Sequence, residues 1–245
     1  MGAQLEKKHY TVEEYFELDN QSEIRYEFYE GEVFAMAGTS KNHNIITDNI
    51  QSALKRVFRP KGCDVFSESV KLEVIKNTYY PYPDVMVSCD ERDKEDEYIV
   101  AHPSILVEVL SKSTAEYDKD FKLKKYKKIP SLQYYLIVSQ YECSVELYSR
   151  TENPELWLYQ TYEKLTDEIS FNRLGFTLPV SSIYESVRFS AIVSPFRVDS
   201  WGLQCLYQKY KKWDKVFSQK FYGLVNQIDD RLVGQLHHFG DFVVI

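Results

Sequence analysis

Glycine is scarce in this chain, at 9 of 245 residues. There is no G-x-G-x-x-G, no P-loop and no G-x-S-x-G, so a dinucleotide fold, a phosphate-cradling loop and a serine-hydrolase elbow have no motif behind them. Cysteine is sparse too. Cys63, Cys89, Cys143 and Cys205 are widely separated and no C-x-x-C occurs, which argues against zinc ribbons and thioredoxin-like chemistry. Reduced thiols in an intracellular, cytoplasmic setting are the simplest expectation. No apolar run approaches the ~20 residues that span a bilayer, so no membrane association is expected. The stretch from Met1 to Tyr10 has charged residues and no apolar core, unlike a secretion signal. A positive excess is also missing: the formal charge is −7. A chain living by non-specific attraction to polyanions is usually basic, so any such partner must be met by a local patch.

Aromatic residues are abundant, with 20 Tyr and 14 Phe, and the 44% hydrophobic and 27% charged fractions are those of a globular protein. The length allows one well-buried domain with an appendage. Thr11-Val12-Glu13-Glu14 has capping-box spacing and predicts a helix to about Leu18. Arg25 to Met36 reads as a hairpin turning near Glu30-Gly31. Residues 43–58 form an amphipathic helix with Ile46, Ile50, Ala53, Leu54 and Val57 on one face. Alternation predicts a half-buried strand from Phe66 to Val74. The charged stretch from Asp90 to Glu97 reads as solvated surface. Ser113-Thr114-Ala115-Glu116 has capping-box spacing, and its helix should run to about Lys128, before Pro130. Strands follow at Tyr134 to Val138 and Val145 to Tyr148, with weaker ones near Trp157 to Tyr162 and Phe176 to Leu178. Beyond Phe189 the chain changes character, with lysines among aromatics (Tyr207 to Trp213). Residues 190–245 are an extension that pattern alone leaves unassigned.

Two carboxylates stand out. Asp84 opens the apolar run Pro83-Asp84-Val85-Met86-Val87, and Glu108 interrupts Ile105-Leu106-Val107-Glu108-Val109-Leu110. Such short apolar runs read as buried strands. A buried carboxylate needs a cation, a metal or a proton. Five residues separate Glu108 from Ser113, at most ~17 Å of extended chain. Lys122 lies a further ~13 Å along the helix. A helix folding back on the sheet therefore returns Lys122 to the level of Glu108. Asp118, Lys122 and Tyr126, at i, i+4 and i+8, share a face. Hard oxygens from Asp84 and Glu108 suit Mg²⁺, a bound divalent ion activates water, and a nearby ammonium steadies charge on phosphorus. Other readings stay open on spacing alone: Asp84 ending a turn, Glu108 paired to a core cation, and Lys122 facing solvent.

The ordered set Pro83-Asp84, Glu108-Val109-Leu110-Ser111 and Asp118-x-x-x-Lys122-x-x-x-Tyr126 resembles the Uma-type restriction-endonuclease-like family of the PD-(D/E)XK nuclease superfamily. Tyr26-Glu27-Phe28 leading to Gly31-Glu32, then Met36, Ser40-x-x-His43 and Ile129-Pro130-Ser131-Leu132-Gln133-Tyr134-Tyr135 extend the likeness over roughly residues 10–189. The resemblance implies an α+β fold, a mixed central sheet flanked by helices, with residues 1–189 as the nuclease domain. It implies a metal-dependent endonuclease hydrolysing DNA phosphodiester bonds with Mg²⁺ or Mn²⁺. Asp84 and Glu108 would be the metal ligands and Lys122 the third catalytic residue. The superfamily lysine, two positions after the Glu, is Leu110 here, and its role passes to Lys122.

Glu27 is then an auxiliary acid, or a carboxylate paired across its hairpin. His43 is a contact to phosphate or metal water, or a locally satisfied helix residue. Asp118 orients Lys122. Lys119, Lys124, Lys125 and Lys128 could track a DNA backbone, or form an ordinary solvated face. Superfamily members are often dimers when they cut both strands, so a homodimer is compatible. The competing readings are a catalytically inactive module binding DNA or a protein partner, and an interaction protein that self-associates through 190–245.

Overall fold

The computed structural model describes residues 8–189 other than 37, 112–114, 116 and 154. The expected extension 190–245, with Cys205, and most of the capping box at Ser113 to Glu116 lie outside the described residues.

Helix α1 (Val12–Gln21) opens with the reciprocal capping box: Thr11 Oγ1 accepts from the Glu14 amide at 3.2 Å and Glu14 Oε2 accepts from the Thr11 amide at 2.9 Å. It runs three residues past Leu18, and Tyr15 packs on Phe28 and Tyr80. Strands β1 (Tyr26–Tyr29) and β2 (Glu32–Ala35) form the expected hairpin. Its turn residues Glu30 and Gly31 both have positive φ, 47° and 85°, the mirror-image turn that matches the strand twist. A side chain at Gly31 would also collide with His9, since a Cβ there would lie 2.2 Å from its Nδ1. Helix α2 (Lys41–Phe58) is capped by Ser40 and buries Ile46, Ile50 and Leu54.

The remaining strands are β3 (Asp64–Ser67), β4 (Lys71–Leu72), β5 (Tyr79–Tyr80), β6 (Val85–Ser88), β7 (Ile99–Val100), β8 (Pro103–Leu110), β9 (Tyr134–Ser139), β10 (Val145–Arg150), β11 (Trp157–Tyr162), β12 (Glu168–Phe171) and β13 (Phe176–Pro179). The central sheet has the order β11-β10-β9-β8-β6-β3. Its pairs are antiparallel except β8 with β9, so the sheet is mixed. The parallel β8–β9 pair needs a crossover. That crossover carries a π-helical turn, Tyr117–Lys122, which runs into helix α3 (Leu123–Tyr126).

Alternation along β8 divides the core. Ile105, Val107 and Val109 pack toward α2 with Val85 and Val87. Leu106 and Leu110 pack on the other side with Met86, Tyr126 and Tyr135. Glu108 takes the position between Leu106 and Leu110, facing the crossover, and is buried.

Three expectations are corrected. The strand from Phe66 to Val74 is broken: Glu68 has φ 41°, and Lys71–Leu72 leaves the central sheet to pair in parallel with β7. The stretch from Asp90 to Glu97 is not wholly solvated, because Asp93 is buried and accepts from Ser88 Oγ at 2.5 Å and the Ala101 amide at 2.9 Å, with His102 Nδ1 at 2.9 Å. Cys63 and Cys89 are joined as a disulfide, with Cα atoms 4.2 Å apart. They flank the opposed pair Asp64–Ser88 of β3 and β6, a juxtaposition hidden by 26 residues of sequence separation. Cys143 is a free thiol. No helix among the described residues is long and apolar enough to cross a membrane.

Candidate metal centre

The strand registers line up three acids at one end of the central sheet. Ser67 opposes Val85 at the end of the β3–β6 ladder; the chain then leaves the strand, with Glu68 at φ 41° and its amide donating to the Pro83 carbonyl at 3.2 Å, which brings Glu68 beside Asp84. Val85 opposes Val107 in the β6–β8 ladder, so Asp84 stands against Glu108. Asp84 is anchored on β8, its Oδ2 accepting from the Val109 amide at 2.6 Å. The sequence expectation that Asp84 and Glu108 meet on neighbouring strands is what this register produces.

On one side of Asp84 the N-terminal turn of α2 brings in His43. Its Nε2 lies 3.3 Å from Asp84 Oδ2 and its Nδ1 3.9 Å from Glu68 Oε1. Burial pulls the His43 imidazole down, but the hydrogen bond and charge of Asp84, reinforced by Glu68 and Asp118, raise it above the ordinary histidine value. One ligand atom from each of His43, Glu68 and Asp84 falls in a group whose members are all within 4.8 Å of one another. An octahedral divalent ion with ligands near 2.1 Å sets neighbouring ligands about 3 Å apart and opposite ones about 4 Å apart. The donor types, two hard oxygens and one imidazole nitrogen, suit such an ion, Mn²⁺ as well as Mg²⁺, and the 4.8 Å limit of the group lies just beyond the span of opposite ligands.

On the other side, Glu108 is already engaged. Its Oε1 accepts from Lys122 Nζ at 3.0 Å and from the Tyr126 hydroxyl at 2.8 Å. Lys122 Nζ is also 3.2 Å from Asp118 Oδ1 and 3.8 Å from Glu27 Oε1. Asp118 Oδ1 is buried and has no aligned hydrogen bond, so the Lys122 charge is what compensates it. One ammonium thus sits among three carboxylates. Burial pushes Glu108 well above the usual carboxylate range; the Lys122 charge opposes this, while Asp118 and Asp84 add to it. Burial pulls Lys122 down, yet Glu108, Glu27 and Asp118 overcome it and keep the ammonium charged well past its usual range. The π-helical turn brings Asp118 and Lys122 against Glu108, a local irregularity often found at functional sites.

Glu27 faces the same cleft. It stands opposite Phe34 in the hairpin, so it is not the cross-strand ion pair that spacing also allowed, and its Oε1 accepts from the Tyr82 amide at 3.2 Å. Asp84, Glu108, Lys122, Glu27, His43 and Asp118 all line one cleft of ≈ 880 Å³. The four lysines expected to track DNA do not line it. Lys119 pairs with Glu146 at 2.5 Å, Lys124 with Asp120 at 2.6 Å, and Lys125 donates to the Tyr29 hydroxyl at 2.9 Å; Lys128 is exposed elsewhere on the helix end. Glu68 is the residue that sequence reading missed. Within a continuous strand it would share the apolar face of Phe66 and Val70, and that breach of alternation was the available signal.

Comparison with known proteins agrees with this architecture. A family model, Uma2, described as "Putative restriction endonuclease", matches residues 12–181. Two curated proteins of Synechocystis sp. align over most of their length. The uncharacterized protein slr1290 is 30% identical over 179 residues, 73% of this chain and 93% of its own. The uncharacterized protein sll1609 is 34% identical over 164 residues, 66% and 92% respectively. A crystal structure of an Anabaena variabilis protein, described as a "putative nuclease belonging to DUF820", superposes with a TM-score of 0.59 at 17% identity, covering 71% of this chain and 97% of that one. At that identity the superposition establishes the fold.

Proposed function

The chain belongs to the Uma2 family, and from that membership and the cleft geometry we propose that it is a metal-dependent endonuclease hydrolysing DNA phosphodiester bonds. The observation that carries the reading is the convergence of His43, Glu68 and Asp84 donor atoms within 4.8 Å, in the cleft that also holds the Lys122–Glu108 pair. Mg²⁺ or Mn²⁺ held there would supply the activation of water and the neutralisation of charge on phosphorus. Asp84, fixed in place by the Val109 amide, would be one of its ligands. His43 and Glu68 would hold the ion with it, and Glu108 would be available as a further ligand. Lys122 orients Glu108 and places a positive charge beside the reacting phosphate, where it strengthens as charge develops. Asp118 and Tyr126 hold Lys122 and Glu108 in register.

Asp84→Ala and Glu108→Ala are each expected to abolish cleavage of plasmid and of single-stranded DNA in Mg²⁺ or Mn²⁺, with the circular dichroism of a folded chain retained. Normal cutting by both variants contradicts the reading. The saturation of Lys122 by three carboxylates favours a second reading, a nuclease-fold module that binds without cutting. DNA binding with no cleavage under any divalent metal would mark it.

A further inference from the structure

The cleft is poor in cations. Among the described residues that line it are Glu23, Glu27, Glu68, Asp84, Glu108 and Asp118, against Arg25, Lys122 and His43, so acids outnumber bases there. Lys122 is buried among acids. Arg25 is held to the Glu68 carbonyl and lies over the Tyr82 ring. A divalent ion returns only two charges. Duplex recognition rests on a basic wall tracking both backbones, and the lysines that could form one stand outside the cleft.

The mouth of the cleft is instead apolar on its hairpin side. Ile24 and Phe34 line it while 51% and 44% exposed, with Met36 beside them. Phe34 is placed by register: it opposes Glu27, and Glu27 Oε1 is 3.8 Å from Lys122 Nζ. The ring therefore stands one side chain away from the reacting centre, on the same face of the hairpin. An exposed aromatic beside a phosphate-handling site is what an unpaired base can stack on, and stacking needs no charge. A paired base, stacked within its duplex, does not offer its face.

We propose that the cleft takes unpaired nucleic acid strands, with a base stacked on Phe34 against the Ile24 and Met36 wall and the adjoining phosphate directed at Asp84. This specifies the substrate of the nuclease reading and rests on it for the direction of the phosphate. Its test uses the full-length chain and a fluorescein-labelled 12-nucleotide DNA, single-stranded or annealed, with Ca²⁺ in place of Mg²⁺, followed by anisotropy. The expected result is single-strand binding at least about tenfold tighter than duplex binding, with only a shallow dependence on salt. Phe34→Ala should weaken single-strand binding by about tenfold, and Phe34→Trp should preserve it. Duplex binding as tight as single-strand binding, or an unchanged Phe34→Ala, overturns the proposal. The nuclease reading fails separately: single-strand binding as described, with no cleavage in Mg²⁺ or Mn²⁺, removes catalysis and leaves the stacking site. Cleavage that is equal on duplex and single strand and indifferent to Phe34→Ala does the reverse.

Discussion

Asp84 and Glu108 each lie one residue beyond the Val85–Val107 pair that joins their strands, yet the two halves of the cleft use their acids differently. Around Asp84 the side chains of His43, Glu68 and Asp84 keep 10%, 27% and 14% of their surface exposed, and among the described residues no lysine or arginine forms an ion pair with them. Around Glu108 the side chains of Glu108, Lys122 and Asp118 keep 5%, 7% and 2%, and the ammonium is built in. One half is open to an external cation; the other carries its own. The first should therefore matter to metal and activity and little to folding, the second to folding as well as activity.

The largest expected effect is on cleavage. Asp84→Asn should remove detectable phosphodiester hydrolysis while changing the urea-unfolding free energy by less than about 1 kcal/mol. Next comes stability in the buried half. Lys122→Met leaves Glu108, Asp118 and Glu27 without their shared cation, and should cost about 3–5 kcal/mol in urea. Adding Glu108→Gln to it should restore part of that loss, since the two side chains touch and their effects are not additive. An Asp84→Asn that unfolds the chain, or a Lys122→Met that is neutral, erases the distinction between the halves.

A smaller effect should appear at Glu68. Glu68→Gln is expected to weaken Mn²⁺ binding at least about tenfold by calorimetry, with folding intact. The pH dependence follows from His43. Its raised value means that the metal-free fold favours the imidazolium, a stabilisation fully present below the free-histidine value and lost as pH rises through the folded value. The metal needs the neutral ring. Mn²⁺ affinity should accordingly climb with pH and level off only above the range of an unperturbed histidine, and His43→Gln should flatten the curve.

The mildest effect lies at high pH. Burial raises Tyr79, Tyr126 and Tyr135 well above the usual tyrosine value, and Tyr80 to about 12. Neutral phenols in the fold contribute stability that is whole below about pH 10 and declines as pH climbs through the folded values. Tyrosinate absorbance and unfolding should therefore rise together above pH 10.

Much of this arrangement was legible in the sequence because it is local or periodic. The capping box at Thr11 to Glu14, the turn at Glu30-Gly31 and the apolar runs interrupted by acid follow from near-neighbour chemistry. The i, i+4, i+8 spacing brought Asp118, Lys122 and Tyr126 to one face even though the helix is π-wound at Asp118. What stayed hidden depends on strand register. Glu68 reaches His43 and Asp84 because the chain leaves its strand there, with φ at 41°; an acid on the apolar face of Phe66 and Val70 hints at the break, but alternation does not say where the side chain then goes. The Cys63–Cys89 bridge also arises from strands meeting across 26 residues, and Asp93 is buried by the nearby Ser88, Ala101 and His102, which a run of charge does not foretell. The lysines of residues 119–128 show the converse: a run of like charge says nothing about which surface it occupies.

The most direct test of the central claim is anomalous diffraction from crystals grown with Mn²⁺. The account predicts one strong peak within bonding distance of Asp84, with His43 and Glu68 as partners. A peak bound through Glu108 after displacement of Lys122, leaving His43 and Glu68 uncoordinated, would contradict it.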